Sequence, residues 1–169
     1  FYCKPTYDSL PAPEAVSVTG ITPQLCEKNG LIEHEFIKKI NKEFTKPETC
    51  IVGYNSIEFD DEYTRHTLFR NFLDPYAWHW QNGNSRWDIL NVARFCYAHK
   101  EDESLNWVKN EKNRPIFKLD NLAPANNIEH SNAHDAMADV RATIGIASII
   151  KKTQPKFFDY ALSLNNKKE

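Results

Sequence analysis

Apolar residues recur at helical and strand spacings along the chain and predict alternating helices and strands. From Leu31 to Phe44 they form a stripe at intervals of three and four residues, which is typical of an amphipathic helix. The apolar run from Cys50 to Tyr54 predicts a short buried strand that leads into turn-forming residues. A further helix is expected from Asp60 to Phe72, ending before the Asp74-Pro75 pair. This order of elements favours an α/β fold.

The remaining segments predict shorter elements. The polar segment from Glu101 to Pro115 predicts an irregular, flexible loop. The other predictions are, in chain order, a strand remnant over Phe1–Lys4, a loop over Pro5–Pro13, an extended segment over Val16–Ile21, a helix start at Thr22-Pro23, a strand end followed by a helix over Trp87–Tyr97, and a short helix over Leu119–Asn126.

One more apolar stripe lies between Ala133 and Ile150 and predicts a helix that packs one face against a core. Because small residues are frequent in this helix, its backbone can approach neighbouring elements closely. The predicted core-facing residues are Ala136, Val140, Thr143, Ile144, Ala147 and Ile150.

His134 and Asp139 give this helix candidate chemistry. Asp139 lies beside the apolar stripe, and a half-buried carboxylate is costly unless a cation or a donor pairs with it. Ser131 or Asn132 can cap the helix, which places His134 in the first turn. An imidazole with an unperturbed pKa of about 6.5 can accept a proton from a metal-bound water. The alternative is that both residues are solvated at a helix start.

Asp60 supplies a second acidic position, at the start of a predicted helix that follows the Cys50–Tyr54 strand. Ligand sites in open α/β sheets form at the carboxyl ends of strands. Carboxylates from two distant segments, Asp60 and Asp139, can together hold divalent cations, which prefer oxygen ligands. The alternative is that Asp60, Asp61 and Glu62 decorate a helix N-terminus, where negative charge is favourable.

Composition sets broad limits on the function. The 169 residues, 41% of them hydrophobic, are enough for one sizeable core, so we expect one domain. A formal net charge of −2 argues against a broadly basic nucleic-acid surface but leaves room for a local basic groove. No apolar run reaches the length of a membrane span, so we expect a cytoplasmic protein without membrane contact. The four cysteines lack a Cys-x-x-Cys pair, which favours neither a zinc site nor a disulfide framework.

Two spaced motifs resemble a nuclease family, the DEDDh 3′→5′ exonucleases. The motifs are Asn55-x-x-x-Phe59-Asp60 and, far downstream, His134-x-Ala136-x-x-Asp139. Further segments resemble a bacterial branch of this family that degrades single-stranded DNA, and the resemblance covers essentially the whole chain. These segments are 19–24, 53–55, 74–78, 84–88 and 129–139.

The resemblance implies a ribonuclease H-like fold with a mixed central sheet flanked by helices. It implies hydrolysis of the terminal phosphodiester at a DNA 3′ end with release of 5′ mononucleotides, in the service of DNA repair and recombination. Two Mg²⁺ ions, which Mn²⁺ can replace, would be held in part by Asp60 and Asp139, and His134 would be the general base. The implied partners are single-stranded DNA with a free 3′ end and a single-strand-binding protein that contacts regions outside this chain. A monomer is expected.

The resemblance also assigns substrate contacts. Tyr76 and Trp80 are expected to stack on unpaired bases, although spacing alone favours core packing for aromatic residues. Arg65, Arg94 and Lys118 match basic groove positions and are expected to contact phosphates, whereas by default they would be solvated charges. The other expected contacts are Thr19, Gly20 and Ile21, which line the pocket for the terminal nucleotide, and Asn55.

The chain lacks the first motif of the family, an Asp-x-Glu that precedes the segment 19–24 and supplies two acidic ligands. We therefore expect residues 1–169 to be a partial exonuclease domain whose N-terminal strands, and whose further C-terminal domains, lie outside this sequence. Two alternatives stay open: an inactive fragment that binds single-stranded DNA, and a small-RNA 3′→5′ exonuclease of the same superfamily, which would contact the sugar 2′-OH.

Overall fold

The computed structural model describes residues 1–8, 10–100, 104–130 and 136–165. These residues form helices and short strands, with two 3-10 turns at Ala77–His79 and Gln81–Gly83. The helices are α1 (Pro13–Thr19), α2 (Pro23–Asn29), α3 (Glu33–Phe44), α4 (Asp60–Arg70), α5 (Ile89–Lys100), α6 (Leu119–Ala125), α7 (Ala136–Thr153) and α8 (Pro155–Ser163), and the strands are β1 (Tyr2–Cys3), β2 (Gly30–Leu31), β3 (Cys50–Gly53) and β4 (Ser85–Asp88). Within these ranges, no helix is long and apolar enough to cross a membrane.

The chain divides into two compact units, each with its own parallel strand pair. Unit 1 consists of residues 1–49 and 62–84, and unit 2 consists of residues 50–61 and the chain from residue 85 onward. In unit 1, β1 pairs with β2. The buried residues of unit 1 include Ile37, Leu68 and Trp78. The ring centroids of Trp78 and Phe44 lie 5.6 Å apart.

Helix α1 corrects the prediction of an extended segment over Val16–Ile21, which is wrong. Pro13 occupies the first turn, where its missing N–H removes no helical hydrogen bond, and Glu14 places negative charge at the same end. The helix ends at Gly20, whose φ of 69° is in the left-handed region that suits glycine. These signals at both ends favour a helix and outweigh the preference of Val16 and Val18 for extended backbone.

Unit 2 contains the larger apolar core. Strands β3 and β4 pair in parallel, with Gly53 opposite Asp88 at their carboxyl ends. The core consists of residues from α5, α6, α7 and α8 and one residue of the segment after α5. Its buried members are Ile89, Val92, Ala93, Cys96, Leu105, Leu122, Ile146, Ile150, Phe157, Phe158 and Ala161.

The predicted core face of α7 is wrong at its start and in its middle. Ala136, Val140 and Ile144 are exposed, whereas Ala142 and Ile146 are fully buried. The helix has apolar residues on more than one side, so periodicity alone does not identify the side that α6 and α8 cover. Thr143 and Ile150 are buried as predicted.

The described part of the segment predicted as irregular, which begins at Ser104, contains no helix or strand, as expected, and has one isolated bridge. Lys109 and Pro115 form an antiparallel bridge, and the N–H of Ile116 donates to the carbonyl of Val108 at 2.8 Å. The rings of Tyr97, Trp107 and Phe117 pack edge to face with one another, which joins this segment to α5.

Candidate active site

The carboxylate of Asp88 organises the loop that follows β3. Asp88 is 3% exposed at the end of β4. Its Oδ1 accepts hydrogen bonds from the N–H of Asn55 at 2.8 Å and of Leu90 at 2.9 Å, and its Oδ2 accepts one from Ile57 at 3.2 Å. Three backbone donors thus converge on one buried carboxylate, which ties the loop to the first turn of α5.

Asp60 lies at the start of α4, immediately after this loop. Burial raises the pKa of its carboxyl group, and the negative charges of Asp61, Asp88 and Asp139 raise it further. Asp60 and Asp139, which are far apart in sequence, are therefore close enough in unit 2 for their charges to interact. Crowded carboxylates repel one another, and a bound cation relieves that repulsion.

The acidic residues next to Asp60 are engaged in ion pairs. Asp61 is buried and accepts a hydrogen bond from Arg86 at 2.8 Å. Glu62 pairs with Arg65 within α4. Asp61 and Glu62 therefore fit the structural alternative raised from the sequence, whereas Asp60 shares a concentration of negative charge with Asp139.

Asp139 lies in the first turn of α7 and contacts a buried histidine. The Nε2 atom of His130 lies 3.4 Å from Oδ1 of Asp139 and 3.1 Å from Oδ1 of Asp120. The Asp139 side chain is 43% exposed, which leaves it accessible to a cation. The predicted general base, His134, and its predicted caps Ser131 and Asn132 lie outside the described residues.

The donor set fits a hard divalent cation in its chemistry. Carboxylate oxygens such as those of Asp60 and Asp139 are the ligands that Mg²⁺ prefers. In the parts of the chain that the structure describes, no three His, Cys, Asp or Glu side chains are grouped closely enough to enclose a metal ion. Asp60 and Asp139 alone would therefore not complete a ligand set, and their role as metal ligands stays a prediction.

Two exposed aromatic side chains mark a surface in unit 1. Tyr76 is 50% exposed and Trp80 is 61% exposed, whereas Trp78 between them is buried. Asp74 shapes this segment because its carboxylate accepts hydrogen bonds from the N–H groups of Tyr76 and Ala77. Trp78 therefore packs in the core while Tyr76 and Trp80 lie at the surface, a division that the spacing of the three residues did not predict.

Arg65 lies on the same unit 1 surface as Tyr76. Its guanidinium carbon is 5.5 Å from the centre of the Tyr76 ring, and one of its nitrogens pairs with Glu62. A cation over an aromatic face combines a phosphate-binding group with a stacking surface.

The remaining predicted contacts also lie at accessible positions. In unit 1, Thr19 donates to the carbonyl of Ala15 at 2.8 Å and accepts from the N–H of Ile21 at 3.2 Å, which closes the turn at Gly20. In unit 2, Asn55, Arg94 and Lys118 are exposed. The substrate roles of these residues stay predictions.

Sequence reasoning missed two residues of the site, Asp88 and His130. Both stand inside segments that carried the family resemblance, yet neither has a spacing that singles it out. Asp88 is the last residue of a short strand, and ligand sites form at the carboxyl ends of strands, so its position was the available signal. His130 offered no signal, since lone histidines are most often structural.

Comparison with known proteins places this geometry in a family. The exonuclease family (RNase T type) matches residues 1–147. The chain belongs to the exonuclease family. Exodeoxyribonuclease I of Haemophilus influenzae is 56% identical over 169 residues, which are 100% of this chain and 36% of that protein. The chain thus spans about a third of the length of the curated relatives it matches.

Solved exonuclease structures confirm the ribonuclease H-like fold. Exonuclease I of Escherichia coli in complex with a dA16 oligonucleotide matches with a TM-score of 0.90 and 56% identity, over 95% of this chain and 34% of that one. The zinc-bound form of an E. coli exonuclease I complex with single-stranded DNA matches with a TM-score of 0.90 and 55% identity, over 96% and 34%. A complex of exonuclease I with SSB-Ct matches with a TM-score of 0.89 and 53% identity, over 96% and 35%.

The Asp88→Asn substitution is expected to destabilise the protein. An amide keeps one acceptor oxygen but directs an NH₂ group at backbone donors, so the free energy of unfolding should fall by about 1.5–3 kcal/mol. Asp74→Asn is the matched control, because Asp74 also accepts two backbone hydrogen bonds but is exposed; its cost should be below about 1 kcal/mol. Urea denaturation of both variants measures the difference, and equal losses would contradict the role given to Asp88.

Asp60 should make stability depend on pH and on divalent cations. Because its folded-state pKa is raised, the protein loses stability as pH rises from the ordinary aspartate pKa through the raised value. Asp60→Asn should therefore increase the free energy of unfolding of the metal-free protein at about pH 7 but not at about pH 3, below the ordinary aspartate pKa. Mg²⁺ should stabilise the unsubstituted protein more than the variant.

The neighbouring Asp61→Asn variant provides the control for this measurement. It weakens the ion pair with Arg86 and should lower stability at about pH 7, which is the opposite sign. Thermal unfolding with EDTA and with Mg²⁺ gives both comparisons. A loss of stability for Asp60→Asn at neutral pH without metal would disprove the electrostatic strain.

Proposed function

We propose that the protein is a 3′→5′ exodeoxyribonuclease that degrades single-stranded DNA to 5′ mononucleotides. The single observation that carries the proposal is the concentration of negative charge around Asp60 in a chain of the exonuclease family. Asp139 contributes to this charge from a distant segment. The similarity to exonuclease I proteins solved with oligonucleotides supports the substrate class.

Asp60 and Asp139 would hold Mg²⁺, with Mn²⁺ as a substitute, and two ions are proposed. When bound, the metal supplies an activated water and stabilises the leaving 3′ oxygen. The protein contributes the geometry: Asp88 fixes the loop that leads into α4 and Asp60. His134 is proposed as the general base that takes a proton from the attacking water.

Tyr76 and Trp80 would receive unpaired bases, and Arg65 would contact a phosphate of the same strand. An aromatic face accepts every base, so this surface gives affinity without sequence preference. A duplex cannot use it without unpairing its bases, which supports a preference for single strands. A single-strand-binding protein is the proposed protein partner, since a similar exonuclease I is solved with SSB-Ct.

The proposed activity is tested in the full-length protein that contains this chain. With Mg²⁺, it should shorten a 5′-labelled single-stranded oligodeoxynucleotide from its 3′ end. Asp139→Ala should lower the rate by at least about a hundredfold, because a weakened metal site forfeits several kcal/mol of transition-state stabilisation. Asp159→Ala, an exposed aspartate of α8, is the matched control and should leave the rate unchanged.

The outcomes separate the proposal from its alternatives. Activity that is insensitive to Asp139→Ala would refute the catalytic assignment. Binding of single-stranded DNA without hydrolysis would identify a non-catalytic binding protein. Faster degradation of an RNA of the same sequence would identify a ribonuclease.

Trp80→Ala should weaken binding of single-stranded DNA. A base stack contributes about 1–3 kcal/mol, so the dissociation constant should rise by roughly 5- to 150-fold. Phe72→Ala is the control, because Phe72 belongs to the same unit, is 98% exposed and has no assigned role. Fluorescence anisotropy in EDTA, which prevents metal-dependent hydrolysis, measures both variants. An equal effect of the two substitutions would remove Trp80 from the binding surface.

A further inference from the structure

His130 is a buried imidazole between two carboxylates, and the proposed reaction does not use it. Its side chain is 1% exposed. Its Nε2 atom lies 3.1 Å from Oδ1 of Asp120, in the first turn of α6, and 3.4 Å from Oδ1 of Asp139, in the first turn of α7. Both neighbours are acceptors, so Nε2 carries a hydrogen; it donates to Asp120 and lies within ion-pair distance of Asp139.

The segment that carries His130 is hydrogen-bonded to α6 and packs on α7. The N–H of Ile128 donates to the carbonyl of Ala123 at 3.0 Å. A Cβ atom built on Gly145 would lie 2.9 Å from Cδ1 of Ile128, so a larger residue there would force the isoleucine side chain to shift. Packing of the Ile128 side chain on Gly145 thus brings the segment of His130 close to α7.

Stability alone does not account for this imidazole. Its Nδ1 atom is buried and has no hydrogen-bond partner within the described residues. A buried polar atom without a partner is destabilising, and an apolar side chain of similar size would avoid that cost. What an imidazole provides and an apolar side chain cannot is the contact of Nε2 with the carboxylates of Asp120 and Asp139.

We propose that His130 is a positioning residue that orients the Asp139 carboxylate for metal binding. His130 engages Oδ1 of Asp139, which restricts rotation of a side chain that is 43% exposed and leaves Oδ2 to face a cation. Asp120 contacts the same nitrogen at 3.1 Å and holds the imidazole in place. The inference rests on the proposed function, because it presupposes that Asp139 is a metal ligand. Partners of metal ligands typically change metal affinity by about 10- to 100-fold when they are replaced.

The test compares two substitutions in the full-length protein, His130→Gln and His130→Asn. Both keep a polar amide, but the glutamine NH₂ reaches the position of Nε2, whereas asparagine is one carbon too short. Binding of Mn²⁺ is measured directly by electron paramagnetic resonance, without substrate. His130→Asn should weaken Mn²⁺ binding by about 10- to 100-fold, and His130→Gln should restore most of it. His34→Asn, on the exposed side of α3, is the control and should bind like the unsubstituted protein.

Unfolding midpoints of all variants are recorded, so that metal affinity is compared only between folded proteins. Equal Mn²⁺ affinity in His130→Asn and the unsubstituted protein would overturn the positioning role, as would equal weakening by both His130 substitutions. Asp139→Ala separates this result from the parent proposal. If Asp139→Ala binds Mn²⁺ normally, the metal assignment itself fails; if it loses Mn²⁺ while the His130 variants do not, only the role of His130 fails.

Discussion

The candidate site of unit 2 depends on the hydrogen bonds that the Asp88 carboxylate accepts from the backbone. Its two oxygens accept from the N–H groups of Asn55, Ile57 and Leu90. Without this anchor the residues after β3 would have to satisfy their donors elsewhere, and the start of α4 would move with them. A residue that is buried and unavailable to substrate thus determines where the accessible carboxylate of Asp60 is presented.

Electrostatic repulsion is the cost of this arrangement. Asp60, Asp61, Asp88 and Asp139 all contribute negative charge to a small region, and only part of it is neutralised by the ion pair between Asp61 and Arg86. Such a concentration destabilises the fold unless a cation is present, which is a common property of sites that bind divalent metals. The negative charge of Asp60 therefore destabilises the fold, whereas that of its neighbour Asp61 stabilises the fold through the ion pair with Arg86.

The sequence predicted the elements whose signals are local. Strand β3, helix α4 and helix α6 begin where the pattern placed them, and the family resemblance is confirmed by relatives that cover the whole chain. The error over Val16–Ile21 came from overlooking the local end signals of α1, Pro13 and Gly20. The error in α7 arose where distant contacts decide, because the buried side of this helix is set by its neighbours. The same holds for His130, whose significance is visible only from its distances to Asp120 and Asp139.

The alternation of exposed and buried aromatic residues from Tyr76 to Trp80 has an evolutionary consequence. The direction of each side chain is set by its place in a tight 3-10 turn. Exchange of one aromatic residue for another preserves the alternation of exposed and buried side chains. Insertion or deletion of a single residue would instead rotate the turn, expose the indole of Trp78 to water and turn a neighbouring exposed ring toward the interior. Related chains should accordingly vary in side-chain identity here far more readily than in length.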